Sequence, residues 1–294
     1  MKPPPFTYHR PATVLEAARL LAELGEDAKV LAGGQSLIPL LNFRLAAPDH
    51  LVDVNHIAEL DTVEVTAEAV VVGATVRHAR LLAHTDVVAA HPLLVEATGW
   101  IAHGVIRNRG TVCGSLAHGD PAAELPAVLA LLGGHVTAAR WDGVALAHRT
   151  VAAAELFIGP LMTSLASDEL VVAATFPRLV AGRGWAVGEL ARRHGDYAVA
   201  GVALTVTVDA GGLPVDGRAA YLSCAPTPVV VELGPAAADP VALGEVVAAA
   251  LDPTADIHAS AEYRRHLAVT LTRRAVVTAT ARARASHVWA EVPT

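Results

Sequence analysis

Apolar positions first recur at helical spacing at Val14, Ala17, Ala18, Leu21 and Leu24, behind Thr13-Val14-Leu15-Glu16 and ahead of Gly25. A threonine hydroxyl that accepts from the first turn, with a glutamate three residues on that reaches back, predicts a helix start, and glycine predicts its end. Pro3–Arg10 precedes this helix as an extended lead-in. Short apolar runs over Lys29–Ala32 and Leu51–Val54 predict strands, with a short helical piece around Leu40–Leu45 between them. Thr62–Val65 and Ala69–Gly73, joined by the polar Thr66-Ala67-Glu68, have the pattern of a hairpin. Helical spacing returns over Val76–Ala83, with Thr75 as N-cap, and over Pro92–His103. Asp120-Pro121 predicts the start of a helix Ala122–Leu132 that stops at Gly133-Gly134.

Strands are expected over His135–Ala139 and Leu170–Phe176, then longer ones over Val199–Val208 and Arg218–Cys224 with Gly211-Gly212 in the turn between them. Pro226–Pro240 reads as a loop, and two helices, Pro240–Leu251 and Ser260–Ala285, complete the pattern. The change of pattern across Pro177–Arg183 marks a domain boundary. No repeat or low-complexity segment interrupts the chain.

Two glycine-marked stretches carry the candidate chemistry. Ala32-Gly33-Gly34-Gln35-Ser36 lies between a strand and a helical turn, where adjacent glycines let the backbone bend sharply and approach a ligand closely. The amides that follow can point at one spot and hold phosphate oxygens without a lysine, and the motif has neither Lys nor Arg. Taken alone, this pentapeptide reads first as a tight turn between core elements. A second stretch of the same kind, Thr111-Val112-Cys113-Gly114-Ser115, follows the turn Arg107-Asn108-Arg109-Gly110 and leads into a loop Leu116–Gly119. The expectation is that the two bends meet in space.

Composition narrows the class. The 294 residues are ample for two domains, and 53 % hydrophobic with 4 % aromatic residues means a core of Ala, Val and Leu. A net charge of −7 argues against a nucleic-acid surface. No window is long and apolar enough to span a membrane, and the N-terminus lacks a signal-peptide core, so the default location is cytoplasmic. Two distant cysteines, Cys113 and Cys224, cannot ligate an iron–sulfur cluster, and the 14 histidines show no zinc spacing. No metal site is expected. No nucleophile–base pair appears either, so no catalytic side chain is expected.

In order along the chain, four segments resemble the FAD-binding medium subunit of the molybdenum hydroxylases, the xanthine dehydrogenase and carbon monoxide dehydrogenase family. They are Ala32–Pro39 with Phe43-Arg44-Leu45; Ile106–His118 continuing through Asp120–Pro126; Arg192–Ala198; and Ser260–Leu267 with Arg273-Arg274-Ala275. The resemblance implies an α+β fold. A two-subdomain FAD-binding domain like that of vanillyl-alcohol oxidase and p-cresol methylhydroxylase (PCMH-type) would cover 1–177, with subdomains of about 1–57 and 58–177. A smaller α+β C-terminal domain, a sheet plus helices, would cover 178–294.

The resemblance places FAD contacts at Leu31, Ala32, Gly33, Gly34, Gln35, Ser36 and Leu37 from the first stretch. From the second it takes Ile106, Gly110, Thr111, Gly114 and Ser115, followed by His118 and Glu124, with Leu170 as a further contact and Asp196 and Tyr197 near the isoalloxazine. Each has a plainer role open to it: Glu124 can favour a helix start by its charge, Asp120 can cap, Tyr197 can fill core, Asp196 can serve a turn, and Arg107 and Arg109 can brace the loop through salt bridges. Cys113 stands where the family has glycine and is expected as a packed bystander. Gln35, where covalent relatives carry histidine, favours non-covalent FAD.

The function so implied is electron transfer as one subunit of a complex. A large subunit would hold molybdopterin and a small one two iron–sulfur clusters (2Fe-2S), in a dimer of heterotrimers. Electrons would pass through FAD to NAD, a quinone, oxygen or another acceptor. A free-standing FAD oxidoreductase and a non-catalytic assembly module are the alternatives.

Overall fold

The computed structural model describes residues 2–180 and 182–290, with side chains described through residue 285. Among the described residues, three larger sheets and one two-stranded hairpin make up the strand architecture. The first is parallel: β1 (Thr7–His9) and β2 (Ala28–Leu31) flank β3 (His50–Asp53). Helix α1 (Val14–Leu24) leads into β2, and α2 (Leu37–Phe43) crosses from β2 to β3. The start of α1 follows its sequence: Thr13 Oγ1 accepts from Glu16 N at 3.1 Å, while the Glu16 carboxylate takes the amide of Ala12 at 2.7 Å. Gly25 terminates it at φ +58°.

The second sheet is antiparallel in the order β4-β5-β10-β6-β7. The expected hairpin forms β4 (Val63–Val65) and β5 (Ala69–Gly73). Next come α3 (His78–Ala83), α4 (Thr85–Ala90), α5 (Pro92–Trp100), α6 (Gly104–Arg107), α7 (Val112–His118) and α8 (Glu124–Leu132). Thr75 does not cap α3; that place falls to Arg77, and the Thr75 hydroxyl is buried without a partner. The helix expected from Ala122 begins at Glu124, because Asp120 instead closes a tight turn onto the amide of Ala122 at 2.8 Å. The chain returns as β6 (His135–Trp141) and β7 (Leu146–Ala152), followed by α9 (Ala153–Leu156), the small hairpin β8 (Phe157–Gly159) and β9 (Met162–Thr163), and finally β10 (Leu170–Pro177) in the sheet centre.

The third sheet is an antiparallel meander of β11 (Gly184–Ala191), β12 (Ala198–Val208), β13 (Pro214–Leu222) and β14 (Val229–Glu232). Strand β14 lies inside Pro226–Pro240, which is therefore not all loop: the valines there extend the sheet beside β13. Helices α10 (Pro240–Ala250) and α11 (Ala261–Ala290) follow, and α11 lies along β11 and β12 so closely that a Cβ on Gly184 would fall 1.7 Å from the Ala279 carbonyl oxygen. Helix α8, buried from Leu125 to Leu131, packs on β12 and β13 and joins the third sheet to the rest. Arg218 of β13 donates to Leu131 O at 2.8 Å, and Arg282 of α11 pairs with Glu96 of α5 at 2.6 Å. The fold is α+β. Among the described residues no helix is long and apolar enough to cross a membrane.

Candidate functional site

The first glycine stretch leaves β2 as a bend and enters α2. Gly34 sits at φ +72°, a left-handed conformation that a side chain disfavours. Gly33 is confined from outside: a Cβ there would meet Arg109 O at 2.5 Å and Gly110 Cα at 2.8 Å. The first glycine stretch therefore packs by its backbone against the turn that leads into the second.

Around this contact the amides of Gly33, Gly34, Gln35, Ser36 and Leu37 have no acceptor among the described residues. All of these residues are half-buried. Buried amides are normally paired, so a row of unpaired ones on a glycine bend is a cradle for anionic oxygens. The Gln35 side chain folds back onto Gly33 O at 3.0 Å, and Leu31 and Ala32 form the half-buried floor at the end of β2.

The second stretch differs from expectation. It is not an open bend leading into a loop; it is the helix α7, with Thr111 as its N-cap. The Thr111 hydroxyl accepts from Gly114 N and its carbonyl from Ser115 N, both at 3.1 Å. The amides of Gly114 and Ser115 are thus occupied, and those of Thr111 and Cys113 stay free among the described residues. Ile106, half-buried in α6, accepts from Gly110 N at 2.7 Å and so closes the turn that presses Gly110 against Gly33. Arg107 braces this region by hydrogen bonds to Ile101 O at 2.6 Å and Ala102 O at 2.9 Å, rather than by salt bridges. The Cys113 thiol is buried against Val72 O at 3.5 Å, and burial pushes its pKa up to about 12, so it is an unreactive packed side chain.

Past α7 the remaining candidates divide. His118 is half-buried at the end of the helix, before Gly119 at φ +63°. Glu124 lies in the first turn of α8. Asp196 and Tyr197 are exposed on the turn between β11 and β12, where Gly195 rests on the His103 ring ahead of α6. Leu170 is elsewhere in character: it is only 3 % exposed, a core residue opposite Ala139 in the second sheet.

Burial raises the Glu124 pKa to about 8, with the nearby carboxylates of Glu189 and Asp120 adding to it. Burial likewise raises Glu189, on β11, to about 7, and its Oε2 has no partner. The Tyr197 hydroxyl is raised by surrounding protein and by Asp120 and Glu124. Glu189 carries no sequence signal, because its proximity to Glu124 exists only once β11 docks.

Both glutamates have folded-state pKa values above the ordinary carboxylate range. Their contribution to stability is therefore complete in acid and is lost as pH rises through about 7 and 8. Glu189→Gln is expected to flatten the fall in melting temperature between about pH 4.5 and 7, and to leave it roughly 3–6 °C higher at all pH above that window. Thermal denaturation of the full chain across pH checks this, and an unaltered slope between about pH 4.5 and 7 would count against the buried pair.

Asn55 and Arg77, which sequence reasoning passed over, tie the two stretches together. Asn55 Nδ2 donates to Ala32 O at 2.8 Å, and Arg77 donates to Asn55 Oδ1 at 2.5 Å and to Arg109 O. Among the described residues no group of His, Cys, Asp and Glu could hold a metal ion.

Residues 4–179 match the family described as the FAD binding domain in molybdopterin dehydrogenase, and residues 185–279 match the CO dehydrogenase flavoprotein C-terminal domain. The chain is 40 % identical over 292 residues to the 6-hydroxypseudooxynicotine dehydrogenase complex subunit alpha of Paenarthrobacter nicotinovorans, covering 97 % of each chain. It is 37 % identical over 290 residues to the carbon monoxide dehydrogenase medium chain of Hydrogenophaga pseudoflava, covering 96 % and 99 %. A solved structure of carbon monoxide dehydrogenase from that organism, lacking the molybdenum–pyranopterin moiety, superposes with a TM-score of 0.89 at 38 % identity over 96 % of this chain and 99 % of the other. On these matches the chain belongs to the FAD-binding medium subunits of the molybdopterin dehydrogenase family, a family of oxidoreductase subunits.

Proposed function

We propose that this chain is the electron-transfer subunit of a molybdenum-containing hydroxylase or dehydrogenase, taking electrons from iron–sulfur clusters of a partner and passing them to an external acceptor. The observation that carries the reading is the row of unpaired amides, Gly33–Leu37, packed against Gly110. Bound FAD supplies the reversible two-electron chemistry that side chains lack.

In this reading the amides of Gly33, Gly34, Gln35, Ser36 and Leu37, with those of Thr111 and Cys113, hold the diphosphate oxygens. The Ser36 and Ser115 hydroxyls add donors. Gly114 serves by leaving space, since its own amide is taken by Thr111. Leu31, Ala32, Ile106 and Gly110 supply backbone and apolar surface, while Leu170 acts only as core beneath the site. His118, Glu124, Asp196 and Tyr197 belong to the flavin end. Glu124, kept protonated near neutral pH by burial and by Glu189, offers an O–H donor there.

The division of labour follows the sheets: 1–177 would bind FAD, as subdomains of about 1–57 and 58–177, and 178–294 would form the C-terminal domain. The partners would be a large molybdopterin subunit and a small iron–sulfur subunit, in a cytoplasmic dimer of heterotrimers. The relatives, a medium chain and a subunit of a dehydrogenase complex, support assembly with other subunits.

The test is spectroscopic and compositional. The purified chain is expected to be yellow with an oxidised-flavin spectrum, and acid precipitation should release all of its flavin as FAD. A colourless chain that takes up no added FAD would overturn the reading. Turnover of a small substrate by the chain alone, free of molybdenum and iron, would favour a free-standing FAD oxidoreductase.

A further inference from the structure

We infer that Arg77 and Asn55 act as a clamp that holds the two glycine stretches at the separation an FAD diphosphate needs, with Arg77 supplying a positive charge that the first stretch lacks. The inference rests on the reading that FAD binds at this cradle.

The need for a clamp comes from the cradle itself. Amides aimed at one point repel one another when no anion is between them, and glycine has no side chain with which to anchor the loop. Gly33 touches Arg109 and Gly110 only by close packing. The polar ties come from elsewhere. Asn55 Nδ2 donates to Ala32 O at 2.8 Å, on the residue that opens the first bend, and to Asp53 Oδ1 at 2.6 Å. Both amide hydrogens are thereby used, and Asn55 Oδ1 accepts from Arg77 Nη2 at 2.5 Å. Arg77 Nη1 donates to Arg109 O, the same oxygen that confines Gly33.

Arg77 is itself held on both sides by backbone. Val112 N donates to Val76 O at 3.1 Å and His78 N donates to Gly110 O at 3.0 Å. Behind Asn55, Asp53 takes the Asn55 amide at 2.9 Å and the Tyr8 hydroxyl at 2.5 Å. Burial opposes ionisation of Asp53, but these bonds from Tyr8 and Asn55 outweigh it and lower its pKa, so it stays an acceptor that aims Asn55. The result is a continuous chain of hydrogen bonds from β1 through β3 to the turn before α7. Among the described residues Arg77 forms no ion pair, Asp53 and Asp61 acting on it only through space, and its two divergent bonds go to neutral oxygens, so it brings positive charge to the turn that meets the first stretch. Lysine could supply the charge but cannot span both acceptors. Arg77 and Asn55 are therefore positioning residues.

The experiment measures FAD affinity of the full chain by flavin fluorescence quenching, and thermal stability of its flavin-free form, for R77A, R77K, N55A and the R77A/N55A double variant. R77A and N55A are each expected to weaken FAD about 10–100-fold. The double variant should be no more than about threefold weaker than R77A, because both act through one bridge. R77K should recover less than half of the lost factor while matching the wild-type melting temperature without flavin. Effects that multiply independently, affinity losses that follow losses in flavin-free stability, or unchanged affinity in R77A would overturn the clamp. R77K separates the two cases even if R77A folds poorly. Failure of the wild-type chain itself to bind FAD would instead overturn the reading on which the clamp rests.

Discussion

Gly33→Ala is expected to lose FAD affinity by roughly 10–100-fold, from a single added methyl group. The methyl has nowhere to go: its nearest neighbours are the Arg109 carbonyl oxygen at 2.5 Å and Gly110 Cα at 2.8 Å, and both are backbone. A side chain could rotate away, but here one of the two stretches must move. That movement separates the Gly33–Leu37 amides from those of Thr111 and Cys113 and divides the cradle. Titration of the variant with FAD, beside a melting curve without flavin, checks the result. Wild-type affinity in this variant would mean that the contact between the stretches plays no part in holding the cofactor.

The largest effect on stability is expected from Arg264→Ala. Arg264 is 7 % exposed, and its Nη1 donates to Val199 O and Ser223 O, both at 3.0 Å. Its Nη2 reaches Asp256 Oδ2 at 2.5 Å. Burial opposes ionisation of Asp256, but the amides of His258 and Ala259 and this guanidinium bring its pKa down to about 2. Truncation leaves two carbonyls at the ends of β12 and β13 without their donor, and opens the start of α11. A loss of about 3–5 kcal/mol follows, or a melting temperature lower by roughly 6–15 °C. Arg264→Lys should recover only a minor part, since an ammonium cannot reach all three acceptors in this geometry. Chemical denaturation of the full chain measures the difference, and a loss below about 1 kcal/mol would contradict the buried network.

Much of the fold was legible wherever one short pattern decides the outcome. Thr13 and Glu16 announce α1, and the polar Thr66-Ala67-Glu68 announces the hairpin of β4 and β5. The first glycine bend was readable because two adjacent glycines leave little else for the chain to do. The second was misread in form. Gly114 suggested an open bend, yet the Thr111 hydroxyl satisfies the Gly114 amide and lets a helix begin at once. Strand β14 was missed because prolines and alanines surround it, and its pairing with β13 is a tertiary fact. Strand β11 went unread for a similar reason: Gly184 and Gly188 break its apolar alternation, and Gly184 is there to admit α11. Asn55 and Arg77 were invisible since neither belongs to a motif, and their meeting depends on the placement of the β3 and α3 ends.

The strand order of the second sheet bears on how the polypeptide acquires its shape during translation. β10 sits between β5 and β6, although it is made after both. The two hairpins on either side can close locally as they leave the ribosome, but nothing joins them edge to edge until residues 170–177 have emerged. Until then both hairpins present bare edges, the state in which a nascent chain is most open to wrong pairing. Insertion of this last strand is what turns two separate ribbons into a single folded layer.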